Sequence, residues 1–189
     1  MPNAVLIRSL STNDLPAFIV LRNASLQQYP DAFTSDYQSE HLKPPQAFEL
    51  RLGQVENGHG ILGAFDPQGV LLGTIGMERE SRLQKRHIVQ ITAMMVAQAA
   101  QGQGIAAQLI ARCAMVTAEN PEIDQLILTV TASNAHVVRL YERAGFVPYG
   151  LLPRAIQVNE QFFDKLHMRL DIAAMRRMKS CDLRTLPIR

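Results

Sequence analysis

Gln101-Gly102-Gln103-Gly104-Ile105-Ala106 follows an apolar, β-compatible run at residues 87–96. It opens a stretch in which Ile105, Leu109, Cys113 and Val116 recur at helical spacing. A strand, a glycine turn and a helix in that order bring the first helical N–H groups to the end of a sheet. Those groups have no intrahelical partner, and the helix dipole is positive there. Glycine at 102 and 104 lets the backbone turn tightly with no Cβ in a ligand's way. Such a place binds phosphate oxygens through main-chain N–H groups. A plain turn and helix start reads the same letters. Two other phosphate loops fit less well. No Lys-Ser or Lys-Thr opens the helix, as a Walker loop requires, and a GxGxxG fingerprint meets Ala107 at its last glycine. Glu119 and Glu122 stand in range of that fingerprint's acidic partner, but they follow a helix instead of ending a second strand.

Working outward, residues 60–65 and 70–80 flank Asp66-Pro67-Gln68-Gly69 and predict a β-hairpin. Upstream, residues 4–10 read as a strand. Thr12 or Asn13 caps a helix with Pro16 in its first turn and Leu15, Phe18, Ile19 and Leu26 as its apolar stripe. Residues 31–45 are polar and irregular, and 46–51 read as a short helix. Downstream, Leu126, Leu128 and Val130 alternate on one face of a strand at 125–131. Ser133-Asn134 caps a helix that Gly145 ends. Residues 146–157 and 161–170 predict two more strands. The fold class expected is mixed α/β, one domain over 1–170 with a basic C-terminal extension at 171–189.

Composition narrows the function classes. The chain has 189 residues, 47% hydrophobic and 19% charged, which is ordinary globular usage. Nineteen Lys+Arg against 17 Asp+Glu leave a formal charge of +2, too weak to suggest non-specific nucleic-acid binding. Cys113 and Cys181 give no disulfide framework, and the five histidines share no metal-ligand spacing, so no metal is expected. No stretch approaches the roughly 18 apolar residues of a membrane helix, and no signal peptide opens the chain. A cytoplasmic protein is the expectation.

Two motifs then combine. Gln101-x-x-Gly104-x-Ala106 resembles the acyl-CoA pyrophosphate loop of the GNAT N-acetyltransferase superfamily, Gln/Arg-x-x-Gly-x-Gly/Ala. Beyond the intervening strand comes Asn134-Ala135-His136-Val137-Val138-Arg139-Leu140-Tyr141-Glu142-Arg143-Ala144-Gly145-Phe146. This resembles the family's second motif, Asn-x-x-Ala-x-x-x-Tyr-x-x-x-Gly-Phe, with Val137 where Ala is usual. The resemblance implies a mixed, mostly antiparallel sheet of about seven strands, splayed between the fourth and fifth and flanked by helices. It implies transfer of an acetyl group from acetyl-CoA to a primary amine of a small molecule or peptide, by direct attack in a ternary complex. Cofactor contacts are then expected from Met94, Met95, Val96, Gln101, Gly102, Gln103, Gly104, Ile105, Ala106, Asn134, Tyr141 and Arg143. For the two methionines the backbone is the functional part. Tyr141 holds the family's place for the phenol that protonates the leaving thiolate.

The general base does not carry over. Relatives keep a Glu at places that here are Gln90 and Thr129. Glu78 and Glu80, two apart on one strand face, are the candidate catalytic carboxylates, with His87 and His136 behind them. Positioning alone, or a water relay, is the other route to a free amine. A non-catalytic acyl-CoA-binding module of the same fold is the alternative function. The aromatic residues Tyr29, Phe33, Tyr37, Tyr149, Phe162 and Phe163 are candidates to shape the acceptor cleft. A homodimer is a candidate assembly, the charges of the basic tail reading as a solvated or dimer-contacting end.

Overall fold

The computed structural model describes residues 5–182. Seven strands, β1 (Leu6–Ser9), β2 (Gly60–Phe65), β3 (Leu71–Arg79), β4 (Ile88–Val96), β5 (Gln125–Thr131), β6 (Val147–Val158) and β7 (Gln161–Asp171), form one sheet. Their order is β1-β2-β3-β4-β5-β7-β6. Every neighbouring pair is antiparallel except β4 and β5. Helices α1 (Leu15–Gln28), α2 (Tyr37–Glu40), α3 (Gln46–Glu49), α4 (Ile105–Glu119), α5 (Ala135–Arg143) and α6 (Ile172–Asp182) complete the chain. No helix among the described residues is long and apolar enough to cross a membrane.

Each face of the sheet has its own core. Ile75, Met77, Val89, Ile91, Leu126, Leu128 and Val130 pack with Ile105, Leu109, Ile110 and Cys113 of α4. Leu10, Leu15, Phe18, Leu21, Phe48, Ile61, Phe65 and Met95 form the other cluster, under α1. β4 contributes to both because it changes face midway. Its partner register slips between Thr74 and Gly76, and Ala93 takes a left-handed φ of 46°. That is a β-bulge, which inverts the in-out alternation beyond it. Thr74 Oγ1 donates to the Ala93 carbonyl at 2.8 Å and holds the bulge. The consequence reaches β5. The two parallel strands pair only through Ile88, Val89 and Gln90 against Gln125, Leu126 and Ile127, and then part.

Three local readings need correction. Ser11, and neither Thr12 nor Asn13, caps the first helical turn, its N–H and hydroxyl both donating to Asp14 Oδ2 at 2.8 Å. Arg8 on β1 holds the same carboxylate with two bonds of 2.8 Å, and these keep Asp14 well below the usual carboxylate range. The stripe of α1 buries Leu21, Arg22 and Ser25 together with Leu15, Phe18 and Leu26, while Ile19 is half-buried. The irregular stretch at 31–45 contains α2, started by Asp36, whose side chain accepts from Ser39 N. Of the basic extension expected from 171 onward, α6 is helical and Ile172 is fully buried in the main core. Residues 183–189 lie outside the described residues.

Candidate functional site

Where β4 and β5 part, a cavity of about 910 Å³ opens. One wall is β4 beyond its bulge, Ala93 to Val96, and the other is β5 from Leu128 to Thr131. The gap-facing backbone groups of β4 have no strand partner there, since its pairing with β5 stops at Gln90. A β-strand edge left open inside a cavity offers main-chain donors and acceptors to a ligand. Met95 is buried in the core under α1 and Met94 packs against the core under α4. Their side chains therefore fill the interior. Ala97 N–H donates to the Leu72 carbonyl at 2.8 Å on the β3 side, so by alternation the backbone groups of Met94 and Val96 face the gap, and those of Met95, expected there as well, face β3 instead.

The glycine loop closes one end. Gly102 and Gly104 sit at φ of 77° and 76°, a conformation glycine takes without the steric cost other residues meet. No atom beyond the chain neighbours lies within 4 Å of where a Cβ would stand on either, and both line the cavity. Gln101 ties it down: its Nε2 donates to the Val96 carbonyl at 3.3 Å and to the Tyr29 hydroxyl at 3.1 Å. Gln103 donates to the Ala99 carbonyl at 3.1 Å and does not line the cavity. Gly104 is the N-cap of α4 and offers no side-chain cap. The N–H groups of the first helical turn, at Ile105, Ala106 and Ala107, therefore lack intrahelical partners and point at the cavity's end.

Helix α5 supplies the third wall. Asn134 caps it, its Oδ1 accepting from Val137 N at 3.3 Å, and it lines the cavity together with His136, Tyr141 and Arg143. Arg139 does not line it. Tyr141 is 5% exposed, its ring edge-on to Phe146 at 5.5 Å. Among the described residues nothing hydrogen-bonds its hydroxyl. Burial, followed by the neighbouring Cys113, pushes its pKa well above the usual phenol value, so it is present as an O–H donor. Burial also pushes the Cys113 thiol up to about 12, which leaves it an inert core residue.

The two candidate carboxylates separate. Glu78 lines the cavity, faces Gln90 across the β3–β4 pair and accepts from Thr92 Oγ1 at 3.2 Å. Glu80 lies past the end of β3, pairs with Arg82 and is absent from the cavity wall. The shared face expected for the pair fails because the strand stops between them, at Arg79. Gln90, Thr92 and Thr129 line the cavity, and His87 does not. Of the aromatic candidates, Tyr29 and Phe33 line it. Tyr37 stacks on His41, Tyr149 lies against His167, and Phe162 and Phe163 edge a separate hollow.

Among the cavity residues that sequence reasoning missed are two buried cations, Arg22 and Lys165, which are 3% and 4% exposed. A signal existed for the first. Phe18, Arg22 and Leu26 stand at i, i+4, i+8, so a cation interrupts an apolar stripe.

A sequence model of the Acetyltransferase (GNAT) family matches residues 21–146. No curated protein sequence matches the chain significantly. Among solved structures, a GNAT-family acetyltransferase from Streptococcus pneumoniae superposes with a TM-score of 0.77 at 23% identity, covering 89% of this chain and 99% of that one. A ribosomal-protein-alanine N-acetyltransferase from Brucella melitensis superposes at 0.71 and 25%, covering 88% and 99%. A GNAT superfamily phosphinothricin acetyltransferase from Sinorhizobium meliloti, in complex with acetyl-CoA, superposes at 0.73 and 19%, covering 90% and 89%.

Proposed function

The chain belongs to the GNAT acetyltransferase family, and on that premise we propose that it moves the acetyl group of acetyl-CoA to a primary amine by direct attack in a ternary complex. The observation that carries the proposal is one cavity joining the uncapped N-terminus of α4 to the open edge of β4. The loop N–H groups from Gly102 to Ala106 bind the pyrophosphate. Met94 and Val96 pair through their backbone with the pantetheine amides, and Arg143 and Asn134 stand beside the same ligand.

The chemistry asks two things of the protein. Holding amine and thioester together in an attack geometry contributes roughly 7–11 kcal/mol. A lysine-like amine has a pKa near 10.4, so freeing it at pH 7 costs about 4–5 kcal/mol at 1.36 per unit. Glu78 accepts that proton, directly or through water, and the free amine attacks the carbonyl carbon. As the C–S bond breaks, the Tyr141 hydroxyl donates to the sulfur. Tyr141→Phe keeps the ring against Phe146 and removes the donor. It is expected to lower kcat about 10²-fold while the KM for acetyl-CoA changes little. An unchanged kcat with a well-used amine shows that Tyr141 only packs.

The direct test is to mix the protein with acetyl-CoA and a panel of primary amines and follow thiol release. Release that depends on the amine, with the acetylated amine found by mass, supports the proposal. Acetyl-CoA binding without release supports a binding module instead.

A second copy of the chain is the proposed partner for β6. This sheet-edge strand exposes Val147, Tyr149, Leu151 and Leu152, and no charged residue interrupts 147–153 to make two copies repel. Sedimentation is expected to give a dimer, and Leu151→Lys a monomer. A wild-type monomer at all concentrations overturns this.

A further inference from the structure

The cavity holds a buried cation that the acyl-transfer reading does not use. Lys165 on β7 stands opposite Thr131 of β5. Paired residues of antiparallel strands share a face, and Thr131 and Thr129 alternate with the core residues Leu128 and Val130. Lys165 therefore lies on the α1 face of the sheet, as do Glu78 and Thr92. Its ammonium donates to Thr131 Oγ1 at 2.9 Å, to the Ala32 carbonyl at 3.0 Å and, more weakly, to the Asp31 carbonyl at 3.4 Å. All three acceptors are neutral. The Asp31 carboxylate acts on it only through space, and burial outweighs that pull and lowers the lysine's pKa.

The cavity lining as a whole carries more positive charge than negative. Arg22 donates from Nε to Glu40 at 2.7 Å and from a terminal nitrogen to Ser35 Oγ at 3.1 Å. Glu40 is shared, since Lys43 bonds it too. Arg51 also lines the cavity. Across the gap, the carboxylate among the described lining residues is Glu78, on β3. The cavity is thus polarised, with Glu78 on β3 to one side of the gap and Lys165 on β7 to the other. An ammonium taken out of water without a bonded counter-charge costs several kcal/mol. A ligand carboxylate that replaces the weak 3.4 Å bond to the Asp31 carbonyl brings that counter-charge and recovers part of the cost. Thr131 Oγ1 donates its own proton to the Asp31 carbonyl at 2.6 Å, which leaves its lone pairs to hold the lysine in place.

We infer that the acceptor is an amine that also bears a carboxylate, and that Lys165 is the residue recognising that carboxylate. The inference rests on the acyl-transfer reading and names its substrate class. The amine lies toward Glu78 and the acid toward β7. Because β7 is one strand beyond the wall of the gap, and strands stand about 4.8 Å apart, the two groups are separated along the ligand.

The experiment follows thiol release with matched pairs, each an amino acid and its carboxamide, over a series of lengths between amine and acid. Wild-type protein is expected to favour the acid by about 10- to 100-fold in kcat/KM, the range of a charge-assisted hydrogen bond. Lys165→Met is expected to remove that preference and Lys165→Arg to restore part of it. Calorimetry with acetyl-CoA checks that both variants are folded and loaded. Equal use of acids and carboxamides by the wild type overturns the inference and leaves acyl transfer standing. So does an undiminished preference in a Lys165→Met protein that binds acetyl-CoA normally. No thiol release with any amine overturns the acyl-transfer reading, and this inference with it.

Discussion

Gly104→Val is expected to weaken acetyl-CoA binding by 10²-fold or more in calorimetry while the protein stays folded. Two effects of the substitution separate cleanly. The first is backbone strain, since Gly104 sits at φ 76°. A side chain in that left-handed region costs roughly 1–2 kcal/mol. For a chain of this size that is a loss of about 2–8 °C in Tm. The second is occupancy. No protein atom beyond the chain neighbours lies within 4 Å of the new Cβ, so nothing in the fold is pushed aside. The valine instead adds bulk to a cavity-lining loop, beside the first N–H groups of α4 that are proposed to take the phosphates. Gly69 provides the control: it has φ 82°, equally open surroundings, and a place in the β2–β3 turn outside the cavity. Gly69→Val is expected to lose similar stability and no affinity. Wild-type affinity in Gly104→Val removes the loop from the binding site. Equal loss of affinity in both variants assigns the effect to strain.

Much of this arrangement was legible in the letters because it follows local rules. The strand–glycine–helix unit at 87–119 and the alternation of Leu126, Leu128 and Val130 are periodicities that tertiary packing had no reason to override. Gly104 and Asn134 mark helix starts by residue type alone. The bulge was not legible. Ala93 carries no glycine or proline signal, and its left-handed φ is imposed by Thr74 on the neighbouring strand. Yet that bulge decides which of Met94 and Met95 enters which core. Glu80 was misplaced for a related reason: alternation continues on paper past Arg79, but the strand does not. Lys165 was invisible because a lysine in an alternating strand normally marks the solvent face. Only the loop at Asp31 and Ala32, brought over β5 and β7 by long-range folding, turns that position inward.

Glu78 carries the remaining test. Gln90 and Thr129 occupy the positions at which the family resemblance places a carboxylate, and neither side chain can take a proton near neutral pH. Glu78 is the cross-strand partner of Gln90 and lines the same cavity, so the neighbouring strand offers the acid that β4 lacks. Thr92 Oγ1 donates to it and fixes one oxygen, leaving the other for water or the amine. Glu78→Gln preserves shape and that hydrogen bond, and removes the basicity. The expected result is a fall in kcat of about 10²-fold or more, with acetyl-CoA affinity unchanged. The pH–rate profile separates a base from positioning. A carboxylate base works only when ionised, so wild-type activity falls on the acid side at one inflection shared by every acceptor. In Glu78→Gln that inflection disappears, and the rate rises with pH until each acceptor's own amine is neutral, tracking its pKa across a series. Glu80→Gln, outside the cavity, leaves the profile as it was. If wild-type rates already track the acceptor pKa, the enzyme works by positioning alone, and Glu78 is a polar wall residue.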